Sequence, residues 1–373
     1  MPIPGASEHG RDATRGWTRA SRRWPIVDGA ATVRALGIPS FGVHGAVVLT
    51  ALAMACGPAP DPLADVPGEA PAAAPVPIGA ADTARRAGGP ADLDRGTHVV
   101  LLGTGTPNAD PERSGPSTAI LVDGHAYLVD AGPGVVRRAA AAAARYGADA
   151  LLAASLDIAF LTHLHSDHTV GLPDLIHTPW VLEREGPLQL FGPDGTAEMA
   201  RHLTAAWAAD IENRTTGRQP FTESGWQVEA TDADEGLVYE DDRVRVTAFR
   251  VPHAGWAEAF AYRFETADRV IVVSGDTAPT KTIVDACDGC DVLVHEVYSA
   301  AAFATRPPEW RAYHAQAHTS SVELADLASR AHPGLLVLTH QLLWGVTPDD
   351  LVGEIRAVGY DGPLAFGRDL DVY

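Results

Sequence analysis

The stretch Phe160–Leu175 reads FLTHLHSDHTVGLPDL and places His163, His165, Asp167 and His168 within six residues. Imidazole and carboxylate groups at this density suit a metal ion. With no cysteine in the cluster, zinc fits best, and iron or manganese is chemically acceptable. The cluster follows an apolar run, LDIAFL. Three more apolar runs end in the same kind of residue: VRVTAFRVPH at His253, RVIVVSGDT at Asp276 and LLVLTHQ at His340. Each ligand falls just past the C-terminal end of an expected strand, the edge at which open α/β sheets bind ligands. One such coincidence carries little weight. Four of them, with the dense first cluster, argue for a convergent metal site.

Those runs are rich in Val, Ile, Leu and Phe, and several stop at Gly or Pro, which marks strands. Others of the same kind are HVVLLGTG, TAILVDGHAYLVDAG, LQLFGP, FAYRFET and CDVLVHEV. Helical patterns lie between them at 134–154, 196–212 and 320–331. The last has Ser320 or Ser321 placed as an N-cap with Glu323 close behind. Residues 303–318 read as a proline-broken loop leading into His318. Strands first in hairpins and later alternating with helices predict a layered α/β domain.

The remaining composition divides the 373-residue chain. Up to Cys56 there are six arginines against three acids, then an apolar run, FGVHGAVVLTALAMAC. A basic region, a short apolar core and small residues before a cut site describe an export signal. LAMAC followed by Gly57 is similar to a bacterial lipoprotein box, with Cys56 as the lipidated residue. Residues 57–93, rich in Pro, Ala and Gly, form a linker too poor in apolar surface to order itself. The folded domain is expected over 94–373. The reading is an exported, lipid-anchored protein touching the membrane only through that anchor; a cytoplasmic protein with a spurious extension is the alternative. The charges of the first two segments cancel, so the net −20 belongs to the domain. Charge of that sign repels phosphate backbones and argues against a broad nucleic-acid surface.

THLHSDHTVG matches the H-x-H-x-D-H signature of the metallo-β-lactamase fold, a four-layer αββα sandwich. The resemblance spans nearly all of 96–373. The segment from Leu101 to Arg138, with the later SGDT, VLVHE, AHTS and LTH, resembles the branch holding ribonuclease Z and one class of arylsulfatase. The resemblance implies two metal ions, taken as Zn2+ with Mn2+ or Fe2+ as alternatives. His163, His165 and His253 would hold one, Asp167, His168 and His340 the other, and Asp276 would bridge them, with a metal-bridging hydroxide as nucleophile. Asp167 is thereby placed with the catalytic groups. His318, in AHTSSVE, would serve as general acid or oxyanion stabiliser, oriented by Glu296. Asp130 of LVDAG would orient a ligand histidine, or simply end a strand.

The resemblance also implies an RNA-gripping arm between the third histidine and the bridging aspartate. Here His253 to Asp276 holds only two strands and a turn. With the acidic domain and the export signal, this predicts a hydrolase of small phosphodiester or sulfate esters, with a small-molecule substrate and no nucleic acid. A ribonuclease Z-type 3′-tRNA processing endonuclease and a non-catalytic metal-binding member of the fold are the alternatives. A homodimer is allowed. His177, His202 and His332 read as surface or packing residues, and His295 as packed or supporting the site. Trp310 and Tyr313 line a pocket or pack. Cys287 and Cys290 form a disulfide loop after export or stay free thiols.

Overall fold

The computed structural model describes residues 93–373. The export signal, Cys56 and the linker up to residue 92 lie outside the described residues. Thirteen strands and ten α-helices follow in order. The first half of the domain builds β1 Thr97–Gly103, β2 Ser117–Val122, β3 His125–Val129, β4 Ile158–Phe160, β5 Leu188–Gly192 and β6 Val228–Asp232. Its helices are α1 Val135–Tyr146, α2 Ser166–Thr169, α3 Leu172–Val181, α4 Thr196–Ala206 and α5 Ala208–Thr216. The second half builds β7 Gly236–Glu240, β8 Val244–Arg250, β9 Phe260–Thr266, β10 Val270–Val273, β11 Val292–Tyr298, β12 Leu335–Leu342 and β13 Leu364–Phe366. Its helices are α6 Lys281–Cys287, α7 Ala300–Phe303, α8 Pro308–Ala317, α9 Ser321–Ala331 and α10 Pro348–Ala357.

The strands form two sheets, each contiguous in sequence: β1 to β6, and β7 to β13. In both, antiparallel pairs come first and parallel pairs follow. Parallel strands need helical crossovers, so each sheet acquires a helical cover. Three apolar cores result, and they define four layers. Val100, Leu102, Leu121 and Leu128 pack with α1 and α3 on the outside of the first sheet. Ala261, Val272, Leu293 and Leu336 pack with α6, α9 and α10 on the outside of the second. Between the sheets lie Val99, Leu101, Tyr127 and Phe160 of the first against Tyr262, Phe264, Ile271 and Val294 of the second. The period-2 alternation of each strand sends neighbours to opposite cores. The C-terminal residues close one edge: Val99 and Tyr373 exchange two backbone hydrogen bonds, at 3.0 and 2.9 Å, along β1.

Local departures from the sequence reading have identifiable causes. The long helix expected over 134–154 stops at Tyr146, because Gly147 turns left-handed with φ 70°, and two short 3-10 turns carry the chain on. The helix expected over 196–212 breaks at Trp207 into α4 and α5. The expected loop before His318 is the helix α8. Pro308 occupies its first turn, where a missing N–H costs nothing. Ser320 caps α9 in a full capping box with Glu323.

Arg184 holds the first half together. It is 2% exposed, and its guanidinium donates to the carbonyls of Leu156, Leu175, Ile176 and Gly225 at 2.8–2.9 Å. Replacing it removes a donor from each of those carbonyls. Arg184→Leu is expected to lower unfolding free energy by about 3–5 kcal/mol. Urea unfolding of both proteins measures this; a change below about 1 kcal/mol would show that the guanidinium is dispensable.

Candidate metal centre

Three expected ligands stand three residues beyond a strand: His163 after β4, His253 after β8 and Asp276 after β10. His165 caps the short helix α2, which carries Asp167 and His168. The turn after β3 lies against α2. A Cβ on Gly132 would come within 2.7 Å of the Asp167 carbonyl, so only glycine allows that contact. His340 departs from the expectation. It lies within β12, where the register with β11 shifts after Glu296 and leaves His340 as the extra residue, at φ 42°. Such a bulge takes one side chain out of the strand alternation. Asp130 and Ala254 beside the site are also left-handed, at φ 63° and 44°. Backbone strain of this kind gathers where a fold holds side chains in set positions.

The geometry brings all seven expected ligands together. His163, His165, His253 and Asp276 each bring one donor atom within 4.8 Å of the others, as do Asp167, His168 and His340. Asp276 touches both groups: its Oδ2 lies 3.9 Å from His163 Nε2, 3.4 Å from His168 Nε2 and 3.6 Å from His340 Nε2. Three ligand rings have their outer nitrogen occupied, while His340 Nδ1 is buried without a hydrogen-bond partner among the described residues. His168 Nδ1 donates to Asp130 at 2.7 Å, His253 Nδ1 donates to the Ala317 carbonyl at 2.7 Å, and His163 Nδ1 faces the Thr162 hydroxyl at 3.0 Å. Their Nε2 lone pairs therefore face the centre. Asp130 also accepts from the backbone and hydroxyl of Thr162, so one carboxylate positions both His168 and His163. Its strand-end geometry and its orienting role are both present.

The donor set fits a cation. His168 Nε2 and Asp276 Oδ1 are buried without a hydrogen-bond partner. Burial opposes charge on every ring here. It drives His163 well below its ordinary value and His165 down to about 4. Against the same burial, Asp276 and Asp130 hold His168 well above its ordinary value, and Asp276 raises His340. A centre whose carboxylates draw protons so strongly also draws divalent cations.

His318 follows α8, with Nδ1 3.4 Å from Glu296 Oε2 and 3.9 Å from Asp276 Oδ2. It is close enough to be grouped with Asp276 and His340 as a donor set. Burial pushes its ring down to about 4, which leaves it neutral at neutral pH. Glu296 is buried, and its Oε1 accepts from the Thr319 N–H at 2.7 Å. His165, Asp167, Asp276, His318 and His340 open on a cavity of about 610 Å³, which Trp310 and Tyr313 also line. Of the remaining histidines, His177 packs on Trp207, His202 pairs with exposed Glu198, His332 ends α9 and His295 is buried in β11. Cys287 and Cys290 are joined as a disulfide.

Sequence reasoning missed Thr162, Trp256, Arg306, His314 and Trp344. Trp256 donates its indole N–H to His165 Nε2 at 2.8 Å. Arg306, His314 and Trp344 line the cavity, and the Thr162 hydroxyl links Asp130 to His163. No residue spacing signals them; they meet the site only through folding.

The sandwich, its shared carboxylate and its strand-edge ligands define a metal-dependent hydrolase of the metallo-β-lactamase fold. The description "Beta-lactamase superfamily domain" matches residues 125–341, and the chain belongs to that superfamily. It is 40% identical over 247 residues to a Ribonuclease Z of Mycobacterium sp. (strain KMS), covering 65% of this chain and 84% of that one. The metallo-beta-lactamase fold protein YhfI from Bacillus subtilis superposes with a TM-score of 0.57 at 18% identity, over 74% of this chain and 99% of the other. Human tRNase Z, short form, superposes with a TM-score of 0.54 at 21% identity, over 74% and 98%. The two superpositions concern the fold. The Ribonuclease Z relative overturns the expectation, drawn from acidic charge and the short His253–Asp276 interval, that nucleic acid is no partner. It favours the ribonuclease Z alternative over small esters.

Elemental analysis of protein purified without chelator is expected to give close to two metal equivalents per chain, from the two ligand groups. Asp130→Asn should weaken metal affinity by roughly 10- to 100-fold in competition with a chromogenic chelator. Unchanged affinity would reduce Asp130 to a turn residue.

Proposed function

We propose that the chain is a dinuclear, zinc-dependent phosphodiesterase of the ribonuclease Z type that cuts an RNA backbone. The observation that carries this reading is the position of Asp276, grouped with His163, His165 and His253, within 3.6 Å of His168 and His340 of the other group, and 3.9 Å from His318 on the same cavity. The identity to curated ribonuclease Z sequences supports the substrate class. His163, His165 and His253 would hold one ion, Asp167, His168 and His340 the other, with Asp276 between them. Bound zinc supplies Lewis acidity and lowers the pKa of water towards neutrality.

The chain's own groups do the rest. Asp130 fixes two of the ligand rings. Glu296 Oε2 lies 3.4 Å from Nδ1 of His318 and would orient the ring once a hydrogen bond closes between them. A neutral His318 donates an N–H hydrogen bond to a phosphoryl oxygen as charge develops there. A second reading, hydrolysis of small phosphodiesters, is supported by β9 and β10, which fill the interval between His253 and Asp276.

Precursor tRNA carrying a 3′ trailer separates the two. One endonucleolytic cut, lost in His163→Ala, is expected; turnover of bis(p-nitrophenyl) phosphate with the RNA left intact would transfer the assignment to small diesters. His318→Ala should lower kcat by roughly 100- to 10,000-fold while metal content stays unchanged. Comparable loss on aryl and alkyl leaving groups would match hydrogen-bond donation, and a loss confined to alkyl groups would instead mark His318 as the proton donor.

A further inference from the structure

His165 differs from the other ligand rings in what holds its outer nitrogen. Its Nδ1 lies 2.9 Å from His163 Nε2 and 3.1 Å from His253 Nε2, so this is the atom it offers to the His163–His165–His253 group. Its outer nitrogen, Nε2, accepts the indole N–H of Trp256 at 2.8 Å. An indole nitrogen has a proton to give and no lone pair to offer in return. A neutral imidazole has one N–H and one lone pair, so accepting at Nε2 places the ring's own proton on Nδ1. In that tautomer Nδ1 donates to the lone pairs of His163 and His253, and it has none left for a cation.

The outer partners of the other rings have the opposite sense. His168 Nδ1 gives to the Asp130 carboxylate and His253 Nδ1 to the Ala317 carbonyl, which leaves Nε2 free for an ion and makes it more basic. The Asp167–His168–His340 group also has a carboxylate of its own, whereas the three imidazoles of the other group have only Asp276, which lies as close to His168 and His340.

Trp256 is placed for its contact. The turn that carries it is tied down at Ala254, left-handed at φ 44°, whose N–H donates to the Gln316 carbonyl at 2.8 Å. It is tied again at Glu258, which accepts from Arg250 and from the Asp194 N–H. The indole stands edge-on to His165, with centroids 5.1 Å apart at 81°. It is 36% exposed, so it has room to turn into solvent about its own side-chain bonds while the backbone stays.

We infer that Trp256 is a latch on His165 that makes the two ions bind in order. The Asp167–His168–His340 group fills first, and the His163–His165–His253 group fills only as the indole releases its ring. On release the ring keeps a single proton, which leaves Nδ1 for water while Nε2 takes one from water, and Nδ1 gains the lone pair that a cation needs. With Nε2 now a donor, the indole N–H faces another donor and the contact is lost. Hydrogen bond and ion exclude each other on this ring. The inference rests on the two-ion reading of the centre and is independent of the substrate.

The test removes zinc stepwise from the zinc-loaded full-length protein with a chromogenic chelator, while proton–nitrogen NMR follows the indole N–H signals. Two dissociation constants are expected. The Trp256 signal, identified by its loss in Trp256→Phe, should move as the weaker ion leaves and stay in place as the tighter one follows. Trp256→Phe keeps an aromatic ring against His165 and removes the N–H. It should tighten the weaker constant roughly 2- to 10-fold, the worth of one neutral hydrogen bond, and leave the tighter one unchanged. A ring that merely packs on the site would weaken zinc binding when altered. Looser or unchanged binding in Trp256→Phe, or a native indole signal that moves with the tighter ion or with neither, overturns the latch and leaves the two-ion reading standing. Only one bound equivalent in both proteins overturns that reading and the latch together.

Discussion

Asp276 is the carboxylate on which the centre turns. It is 3% exposed and within 4 Å of nitrogen atoms on His163, His168, His318 and His340. Buried charge of this kind survives only when opposite charge or hydrogen-bond donors surround it. Here His340 and His168 answer it, and they hold Asp276 well below the usual carboxylate range against its burial. The same carboxylate lifts His168 and His340. Every other feature of the site follows from keeping this one group in place: the strand-end turns, the bulge at His340 and the anchoring of ligand rings by Asp130 and Ala317.

Much of this was legible in the sequence. The His163–His168 cluster stands out because four donors in six residues have no structural reason to follow an apolar strand. The strand runs were legible because residues buried on both faces leave unbroken Val, Ile and Leu. The α9 cap was legible because its signal is local. His340 was found, but not its place inside β12, because a bulge depends on register with β11 and register is a property of two strands. Thr162 and Trp256 were missed for the same reason: their partners lie on other elements, or their role lies in a hydrogen bond that no spacing encodes. The helix α8 was missed because its prolines were weighed as breakers, although a proline in a first turn favours helix.

Net charge is a poor guide to this site for a physical reason. A net charge of −20 describes a whole domain, and beyond a Debye length of about 10 Å the field of scattered surface carboxylates is screened. The local field at the centre is set within a few ångströms, by His and Asp donor groups that gather cations. Global charge bears on solubility and encounter rate more than on what a recessed site accepts.

The two sheets occupy successive halves of the chain, yet neither half owns a ligand group. His163 and His165 come from the first, and His253 and Asp276 from the second; Asp167 and His168 meet His340 in the same way. The packing of Phe160 against Tyr262 and Phe264, at 5.5 and 5.6 Å, therefore sets the distance between the two halves of each ligand group. A methyl group gained or lost in that interior is felt as an altered bite on the cation. The apolar seam is thus part of the chemistry, because a change on the inner face of either sheet is transmitted to both ligand groups.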